Sequence, residues 1–392
     1  MSEHVVVIGG GYAGVMAANR LTGHEDVRVT LVNPRASFVE RVRLHQVVGG
    51  SHAAVVDYGR ILGERVRLVV DSVGRIDAAE RTVTLGNGGS LDYDYLVYAV
   101  GSTSAVPTVP GAAEFAYPIA SLEQARRVRA VLNAAPAAAA VTVVGAGSTG
   151  IEIAAELGEQ GRAVTLVCGG VLGPYLHPRV RRSVARRLAD LGVRVIEGPR
   201  AEVTEVTRDA VRLSDSRVMP SAVTIWTAGF DVPDLATRSG LSTDAAGRLL
   251  TDETLTSVDD PRIVAAGDAV APSDLPLRMS CQTARPLGAH AADTVLARIA
   301  DEQPTEINIG YFGQCIALGR RAATLQFAAE DDTANRFALG GRLAAAIKER
   351  ACRGVVQELI DEATKPGTFR WKFTDDKRRL RLAPVAPEPA AR

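Results

Sequence analysis

Short apolar runs alternate with stretches of helical spacing along the first three quarters of the chain. HVVVIGGGYAGVMAANRL at residues 4–21 recurs as AVTVVGAGSTGIEIAAEL at residues 140–157. In each copy a β-branched run precedes Gly-x-Gly-x-x-Gly, and an Ala-rich helical pattern follows it. A second β run then ends at Asn33 in the first copy and at Cys168 in the second copy. The repeat therefore predicts two βαβ units.

Each unit continues with short strand patterns separated by turns. Residues 66–100 end with a strand before Gly101, and residues 193–229 end with a strand before Gly229. RIVAAGDAV at residues 262–270 predicts one more buried strand, which we assign to the first unit because the second is already complete. NIGYFGQCIALG and AATLQFA then predict strands of a further module. We therefore predict an α/β fold of two Rossmann-like domains (three layers, ββα) with inserted β-meanders, and a small C-terminal α+β module.

The glycine turns carry the first chemical signal. Glycine at these positions permits a tight turn and a close approach of the backbone to a pyrophosphate, which then lies at the positive end of a helix dipole. Two purely structural βαβ turns are the alternative interpretation. In AAGDA, Asp268 follows a predicted strand, where its carboxylate suits the ribityl hydroxyls of a flavin or the N-cap of the next helix. The repeat together with this Asp favours the flavin.

Composition narrows the class of protein. Lys and Arg number 45 and Asp and Glu also number 45, so the formal net charge of zero argues against a nucleic-acid partner. The four cysteines lie far apart and form no zinc-ligand spacing, so we expect no metal. The apolar run at residues 5–8 is too short for a signal peptide, and no run of eighteen apolar residues follows. We therefore expect a cytoplasmic protein.

The order of motifs, GxGxxG, AVGS, GxGxxGxE, TAG and AAGDA, resembles the pyridine nucleotide–disulfide oxidoreductase superfamily over roughly residues 4–300. Within it the chain looks most like type II NADH dehydrogenases and apoptosis-inducing-factor-like oxidoreductases. The resemblance implies FAD in the first unit, NAD(P)H in the second, and hydride transfer from the nicotinamide to the flavin. It implies contacts of FAD with Gly9, Gly11, Tyr12, Ala13, Gly14, Asn33, Arg43, Val73, Ala99, Gly101, Gly267, Asp268 and Cys281. It implies contacts of NAD(P)H with Gly145, Gly147, Ser148, Thr149, Gly150, Glu152, Cys168, Ala228 and Gly229.

The domain boundaries follow from the same motifs. The predicted FAD-binding domain is discontinuous, and the chain leaves it for the NAD(P)H-binding domain before returning. The boundaries are 1–108 and 245–304 for the FAD-binding domain, 109–244 for the NAD(P)H-binding domain, 305–385 for the C-terminal module, and 386–392 for a disordered tail.

Three departures from the family pattern limit what the resemblance implies. Asn33 stands where the family has an acid for the adenosine ribose of FAD. Cys168 offers neither a carboxylate for NADH nor a guanidinium for NADPH, so we expect weak discrimination between them. No closely spaced cysteine pair is present, which excludes the dithiol chemistry of the disulfide reductases. The enzyme is thus predicted to be an FAD-dependent NAD(P)H oxidoreductase without a redox-active disulfide.

The electron acceptor depends on the helix after Asp268. Its first residues, Cys281 and Gln282, are the acceptor-side candidates, and Gln282 matches a quinone-site motif of type II dehydrogenases. Pro286 and Arg285 depart from that motif. Cys281 is either a reactive thiol at a helix N-terminus or a small residue packed against the cofactor. A quinone is one acceptor, and a ferredoxin or specialised-metabolism partner is the alternative. A redox-responsive protein that forms a flavin–NAD complex is the alternative from another class.

The sequence predicts an amphipathic helix near residues 338–361, but it does not determine what the apolar face of this helix contacts. The alternatives are a membrane surface, where the protein would lie peripherally on the inner face, and packing against the flavin domain or a second copy in a homodimer. The apolar positions are Leu339, Leu343, Ile347, Val355 and Leu359, with Arg342, Lys348, Arg350 and Arg353 interleaved.

Overall fold

The structure is a computed structural model that describes residues 2–382, so the predicted tail lies outside the described residues. The first part of the chain alternates short strands and helices. Its strands are β1 Glu3–Ile8, β2 Val27–Asn33, β3 Ser37–Val39, β4 Val55–Asp57, β5 Val66–Val70, β6 Val73–Asp77, β7 Thr82–Leu85, β8 Ser90–Asp92, β9 Tyr95–Tyr98 and β10 Thr103–Ser104. Its helices are α1 Tyr12–Leu21, α2 Leu44–Gly49 and α3 Tyr58–Ile61.

The second repeat builds a similar unit. A parallel sheet with the order β11-β18-β12-β13-β14 is accompanied by an antiparallel meander, β15-β16-β17. The strands are β11 Ala116–Pro118, β12 Val141–Val144, β13 Val164–Val167, β14 Arg194–Ile196, β15 Val203–Val206, β16 Ala210–Leu213, β17 Val218–Pro220, β18 Val223–Trp226 and β19 Phe230–Asp231. The helices are α4 Ala112–Phe115, α5 Leu122–Ala134, α6 Ser148–Glu159, α7 Pro178–Asp190 and α8 Leu235–Arg238.

The chain then returns to the first sheet. This segment contains β20 Leu249–Thr251, β21 Ile263–Ala265, β22 Val270–Pro272 and α9 Cys281–Ile299. Because β21 pairs in parallel with β9, the first sheet has the order β21-β9-β1-β2-β5, and the meander β6-β7-β8 forms a separate antiparallel sheet. The inner parallel strands β1 and β9 are largely buried on both faces, as their continuous apolar sequences require. The fold is thus mixed α/β with two dinucleotide-binding units.

Two helices of the first unit cross at very short range. A Cβ atom added to Gly288 of α9 would lie 2.2 Å from the carbonyl oxygen of Ala13 in α1. Only glycine allows this approach, since real Cβ atoms do not come that close to a backbone oxygen. The crossing places Gly288, two turns into α9, beside the first turn of α1, where the first glycine motif ends.

The C-terminal module is an antiparallel sheet covered by one long helix. Its elements are β23 Gly313–Ala317, β24 Ala323–Ala328, β25 Ala334–Gly340, α10 Gly341–Thr364 and α11 Arg378–Leu382. The prediction of a helix from residue 338 was wrong by three residues, because residues 338–340 pair with β24 instead. Leu339 is therefore a strand residue, and the helix begins at Gly341.

Helix α10 has a buried face that packs within the protein, which bears on the choice between a membrane surface and packing against the flavin domain. Ala344, Cys352, Val355 and Leu359 are buried, and α10 packs against α1, α3 and the sheet of its own module. Leu343 and Ile347 lie near its start and are exposed. Within residues 2–382, no helix has the length and apolar character needed to cross a membrane.

Candidate cofactor and electron-transfer site

The first glycine turn is closely packed at two positions and open at one. A Cβ atom on Gly9, whose φ is +103°, would lie 2.3 Å from the carbonyl oxygen of Ala99. A Cβ atom on Gly14 would lie 1.8 Å from the carbonyl oxygen of Gly9. Gly11 has no neighbour within 4 Å of such an atom, so the space beside it is free. This space at the N-terminus of α1 suits a pyrophosphate.

The second turn repeats this arrangement. A Cβ atom on Gly145 would lie 2.8 Å from the backbone nitrogen of Ala228, and one on Gly150 would lie 1.8 Å from the carbonyl oxygen of Gly145. Gly147 again faces open space at the start of α6. Two helix N-termini, each with free space beside the middle glycine, therefore lie ready for two dinucleotides.

A single cavity of about 370 Å³ lies between the two turns. It brings together residues that the sequence predicts for FAD, for NAD(P)H and for the acceptor, although they are up to 271 positions apart, from Gly11 to Gln282. The predicted residues that line it are Gly11, Tyr12, Ala13, Ala99, Gly101, Ser148, Thr149, Glu152, Gly229, Gly267, Asp268, Cys281 and Gln282.

Asp268 lies in this cavity with one carboxylate oxygen already bound. The Ser102 hydroxyl donates to its Oδ2 at 2.6 Å, and the Arg41 guanidinium lies 3.9 Å from the same oxygen. Among the described residues no protein group donates to Oδ1. That oxygen is available to a ligand hydroxyl, and the N-cap of α9 is Ser280 instead.

Arg43, predicted as an FAD contact, does not line the cavity. Its side chain is 2% exposed and forms ion pairs with Glu40 and Glu349, both at 3.0 Å. The neighbouring Arg41 lines the cavity and donates to Ser102 at 3.1 Å. A buried guanidinium needs charged partners, and the carboxylates around Arg43 hold it away from the ligand space. The pattern of the sequence does not distinguish these two arginines.

Asn33 performs a structural task at the end of β2. Its Oδ1 accepts from the Gly10 backbone at 2.9 Å, and its Nδ2 donates to the Arg35 carbonyl at 2.8 Å. The Tyr58 hydroxyl donates to the Gly10 carbonyl at 2.7 Å. The amide thus holds the glycine turn in place, which a carboxylate, having no N–H, would achieve on one side only.

Val73 and Cys168 lie outside the lining of the cavity. Val73 begins β6 close to the carboxyl edge of the first sheet, and its carbonyl accepts from Arg238 at 3.3 Å. Cys168 follows β13 at the carboxyl edge of the second sheet. Burial, followed by the charge of Glu197, raises the pKa of the Cys168 thiol to about 12, so the thiol is neutral.

The acceptor side of the cavity is formed by the first turn of α9. Gln282 is 9% exposed, its Oε1 accepts from Arg278 at 3.3 Å, and its Nε2 has no partner among the described residues. Arg285 is buried but is directed away from the cavity, toward Glu358 and the aromatic ring of Trp371. The charge of Arg285 therefore does not occupy the space beside Gln282.

A buried charge cluster, which the sequence analysis missed, adjoins this space. Glu152 forms an ion pair with Lys348, accepts from the Ala317 backbone at 2.9 Å, and lies 3.3 Å from His45 Nδ1. Lys348 also donates to the Cys315 carbonyl at 2.9 Å. The sequence pattern places Lys348 among solvent-facing basic residues, but the structure buries it, because a carboxylate of the facing helix neutralises it.

The protonation states of the cluster follow from this geometry. Burial is the largest single influence and opposes ionisation of Glu152, but the favourable interactions around it, led by the charge of Lys348, together outweigh burial and leave the pKa of Glu152 below its usual value. Burial opposes the charge of Lys348, but the favourable interactions of its ammonium, led by the attraction of Glu152, together exceed the cost of burial and raise the pKa of Lys348. Burial lowers the pKa of His45 to about 4. At neutral pH the cluster is therefore an ion pair beside a neutral imidazole.

The cysteines in the cavity are also neutral. Burial raises the pKa of the Cys281 thiol despite the nearby positive charge of Arg285. Burial likewise raises the pKa of the Cys315 thiol to about 11. All four cysteines of the chain are free. These thiols have the properties of packing residues and not of nucleophiles.

The residues present fit a flavin and a nicotinamide dinucleotide. The free space at Gly11 and Gly147 accommodates phosphates, and Asp268 Oδ1 and Gln282 Nε2 are an acceptor and a donor that no residue of the described chain uses. FAD held here would supply the hydride acceptor for NAD(P)H and the carrier of the electrons to the acceptor. The protein contributes the positions of the two ligands and excludes water from the space between them.

Comparisons with known proteins agree with this assignment. Residues 3–292 match the model of the pyridine nucleotide-disulphide oxidoreductase family. An NADH dehydrogenase-like protein of Mycobacterium tuberculosis is 32% identical over 351 residues, covering 81% of this chain and 86% of that protein. A type II NADH:quinone oxidoreductase of the same organism is 28% identical over 351 residues, covering 78% of this chain and 74% of that protein.

A solved structure extends the likeness to nearly the whole fold. The sulfide:quinone oxidoreductase of Aquifex aeolicus superposes with a TM-score of 0.78 at 18% identity, covering 93% of each chain. At that identity the likeness concerns the fold alone. The family match, the relatives and the two glycine turns lead to one conclusion. The chain belongs to the pyridine nucleotide-disulphide oxidoreductase family and is an FAD-dependent NAD(P)H oxidoreductase.

Proposed function

We propose that the electrons of NAD(P)H pass through FAD to a quinone that binds beside Gln282. The observation that carries this proposal is the Gln282 side chain, which is buried, lines the cavity, and has no partner for its Nε2 within residues 2–382. A buried donor without an acceptor costs about 1–3 kcal/mol, so a ligand carbonyl at this position would remove a real penalty. A quinone presents such a carbonyl on a flat apolar ring.

The nearby charges suit the reduction of a quinone. The overall reaction is NAD(P)H + H⁺ + quinone → NAD(P)⁺ + quinol, so negative charge develops on the quinone oxygens before they are protonated. Lys348 lines the same cavity, and Glu152 holds it in the charged form. An ammonium group fixed in a buried site stabilises the negative charge that develops on the quinone oxygens.

An apolar groove in the C-terminal module supports an acceptor that comes from a membrane. The groove has a volume of about 810 Å³, and four phenylalanines on its rim are partly exposed. Arg278 connects it to the cavity, since this residue stacks on Tyr311 at the groove and donates to Gln282. Such a surface favours peripheral contact with lipid. The phenylalanines are Phe312, Phe327, Phe337 and Phe373.

The names of relatives point the same way. One relative that covers three quarters of this chain is a type II NADH:quinone oxidoreductase. Pro286 departs from the quinone motif, yet α9 continues through it from Cys281 to Ile299, so the position of Gln282 in the first turn is maintained. A ferredoxin-type partner and a non-catalytic flavin–NAD complex are the alternatives that the experiment must separate.

The experiment separates the two half-reactions by stopped flow. The FAD-loaded protein is reduced anaerobically with NADH and then mixed with ubiquinone-1, menadione, ferricyanide, a ferredoxin or oxygen. We expect Gln282→Ala to slow reoxidation by the quinones about tenfold or more, the equivalent of one lost buried hydrogen bond. Reduction by NADH should be nearly unchanged.

A glutamine outside the site provides the control. Gln357 is exposed on α10, so Gln357→Ala should behave as the wild type in both half-reactions. Equal slowing of both half-reactions by Gln282→Ala, or no reaction with either quinone, would overturn the proposal. Fast reduction followed by no reoxidation with any acceptor would support the flavin–NAD binding protein instead.

A further inference from the structure

The carboxyl edge of the second sheet contains a carboxylate that the family motif does not predict. β13 and β14 run in parallel, with Val167 opposite Ile196, so Cys168 and Glu197 form the next pair in the register. The Cys168 backbone donates to the Ile196 carbonyl at 2.9 Å, which continues the pairing to the end of both strands. Side chains in register lie on the same face of a sheet, so Glu197 lies beside Cys168.

Cys168 itself offers little to a ribose. Its thiol is neutral, and a thiol is a weak donor and a weak acceptor. Gly169 and Gly170 follow it, and a Cβ atom added to either would have no neighbour within 4 Å. The edge is therefore open beside these glycines, on the loop after the second strand of the unit, where a βαβ fold binds the adenosine half of a dinucleotide.

Glu197 is held toward this open space. Its Oε2 accepts from the Leu172 backbone at 3.1 Å, and Gly198 donates to the Gly170 carbonyl at 2.6 Å. These bonds tie the loop after β13 to the loop after β14. Within residues 2–382 no ion pair neutralises Glu197, and its charge acts on the Cys168 thiol. The carboxylate is thus held at one oxygen and only partly hydrogen-bonded.

We propose that Glu197 binds the adenosine ribose of the nicotinamide dinucleotide and makes the protein select NADH over NADPH. A carboxylate accepts hydrogen bonds from the 2′- and 3′-hydroxyls of NADH, and it repels the 2′-phosphate of NADPH. The neighbouring strand thereby supplies the acid that is missing at position 168. The inference concerns the reductant's site and is independent of the acceptor.

One basic residue near this edge acts against the proposal. Arg200 follows Glu197 by three residues and is exposed, and its charge acts on Asp215. A guanidinium that reached the 2′-phosphate would favour NADPH instead. The experiment therefore has to compare both dinucleotides directly.

The experiment measures binding without turnover. Calorimetric titration of the oxidised, FAD-loaded protein with NAD⁺ and with NADP⁺ gives two dissociation constants. We expect the wild type to bind NAD⁺ at least about tenfold more tightly, and Glu197→Gln to reduce this ratio about tenfold or more. Glutamine keeps an acceptor for Leu172, so the loop should remain in place. The ratio of the rates of anaerobic flavin reduction by NADH and by NADPH should also fall in Glu197→Gln, as the binding ratio does.

Two further variants separate recognition from a structural effect. Asp190→Asn removes a carboxylate from the end of α7, near the opposite edge of the same sheet, and should leave the ratio within about twofold of the wild type. Adding Cys168→Asp to Glu197→Gln should restore the preference for NAD⁺. Equal binding of NAD⁺ and NADP⁺ by the wild type would overturn the proposal. Equal weakening of both by Glu197→Gln would also overturn it and show that Glu197 only positions the loop.

Discussion

The ion pair between Glu152 and Lys348 gives the sharpest test of the buried cluster. Lys348→Met removes the ammonium and leaves the Glu152 carboxylate, which is 8% exposed, with the Ala317 backbone and the neutral His45 as its neighbours. Breaking a buried ion pair on one side costs about 3–5 kcal/mol, because the remaining charge is left without compensation. For a chain of this length such a loss lowers the melting temperature by roughly 4–6 °C.

The loss should depend on pH in a defined direction. The pKa of Glu152 is lower in the folded protein than in the unfolded chain, so its pairing stabilises the protein above the unfolded pKa of about 4.3. That stabilisation disappears as the pH falls through the folded-state value. The difference in the free energy of unfolding between Lys348→Met and the wild type should therefore be largest near neutral pH and should shrink below about pH 5.

The assay is thermal unfolding of the FAD-loaded protein, followed by circular dichroism and by flavin fluorescence. Lys365→Met, at the exposed end of α10, is the matched control and should melt within about 1 °C of the wild type. Glu152→Gln combined with Lys348→Met should recover more than half of the loss, since the uncompensated charge is then absent. If Lys348→Met is as stable as the wild type, or if the effects of Glu152→Gln and Lys348→Met on stability are strictly additive, the account of a coupled buried pair is refuted.

Three further expectations concern the cofactor, the imidazole and the lipid surface. Asp268→Ala should weaken FAD retention by about 1.5–3 kcal/mol, measured as flavin per chain after gel filtration, and full retention would remove Asp268 from the site. The folded pKa of His45 is about 4, below the unfolded value of about 6.5, so His45 reduces stability as pH falls between these values. His45→Gln should flatten that part of the stability profile, and an unchanged slope contradicts the assignment. Phe337→Ser combined with Phe373→Ser should reduce sedimentation with anionic vesicles several-fold, whereas Val106→Ser, at another exposed apolar position, should not.

Local sequence patterns were sufficient to predict the glycine turns and the parallel strands, because residues close together in the chain determine these features. The glycine turns at residues 9–14 and 145–150 depend on backbone conformation and on close contacts with the next strand, and both requirements leave a trace in residue type. The parallel strands leave a similar trace, because burial on both faces demands continuous apolar runs. The α/β fold and the two cofactors therefore followed from the sequence.

The sequence pattern did not predict which way individual charged side chains point. Arg41 and Arg43 are two residues apart on one short turn, yet Arg41 faces the cavity and Arg43 is buried against Glu349, which is 306 positions away. Lys348 has the spacing of a solvent-facing residue on an amphipathic helix, and only the tertiary structure, in which α10 and α6 both contact β23, reveals its partner Glu152.

The same limit applies to the edge where Glu197 lies. Its position beside Cys168 depends on the register of two strands that are 26 residues apart in the chain. Sequence by itself determined the fold class and the glycine turns, because these depend on local backbone demands and on repeated burial, and the order of its motifs implied the cofactors through the resemblance to a known family. Only the tertiary structure decided which charges face a ligand and which face each other. The free energy of a charge depends on its burial and on its partners, and both are set by contacts between distant segments.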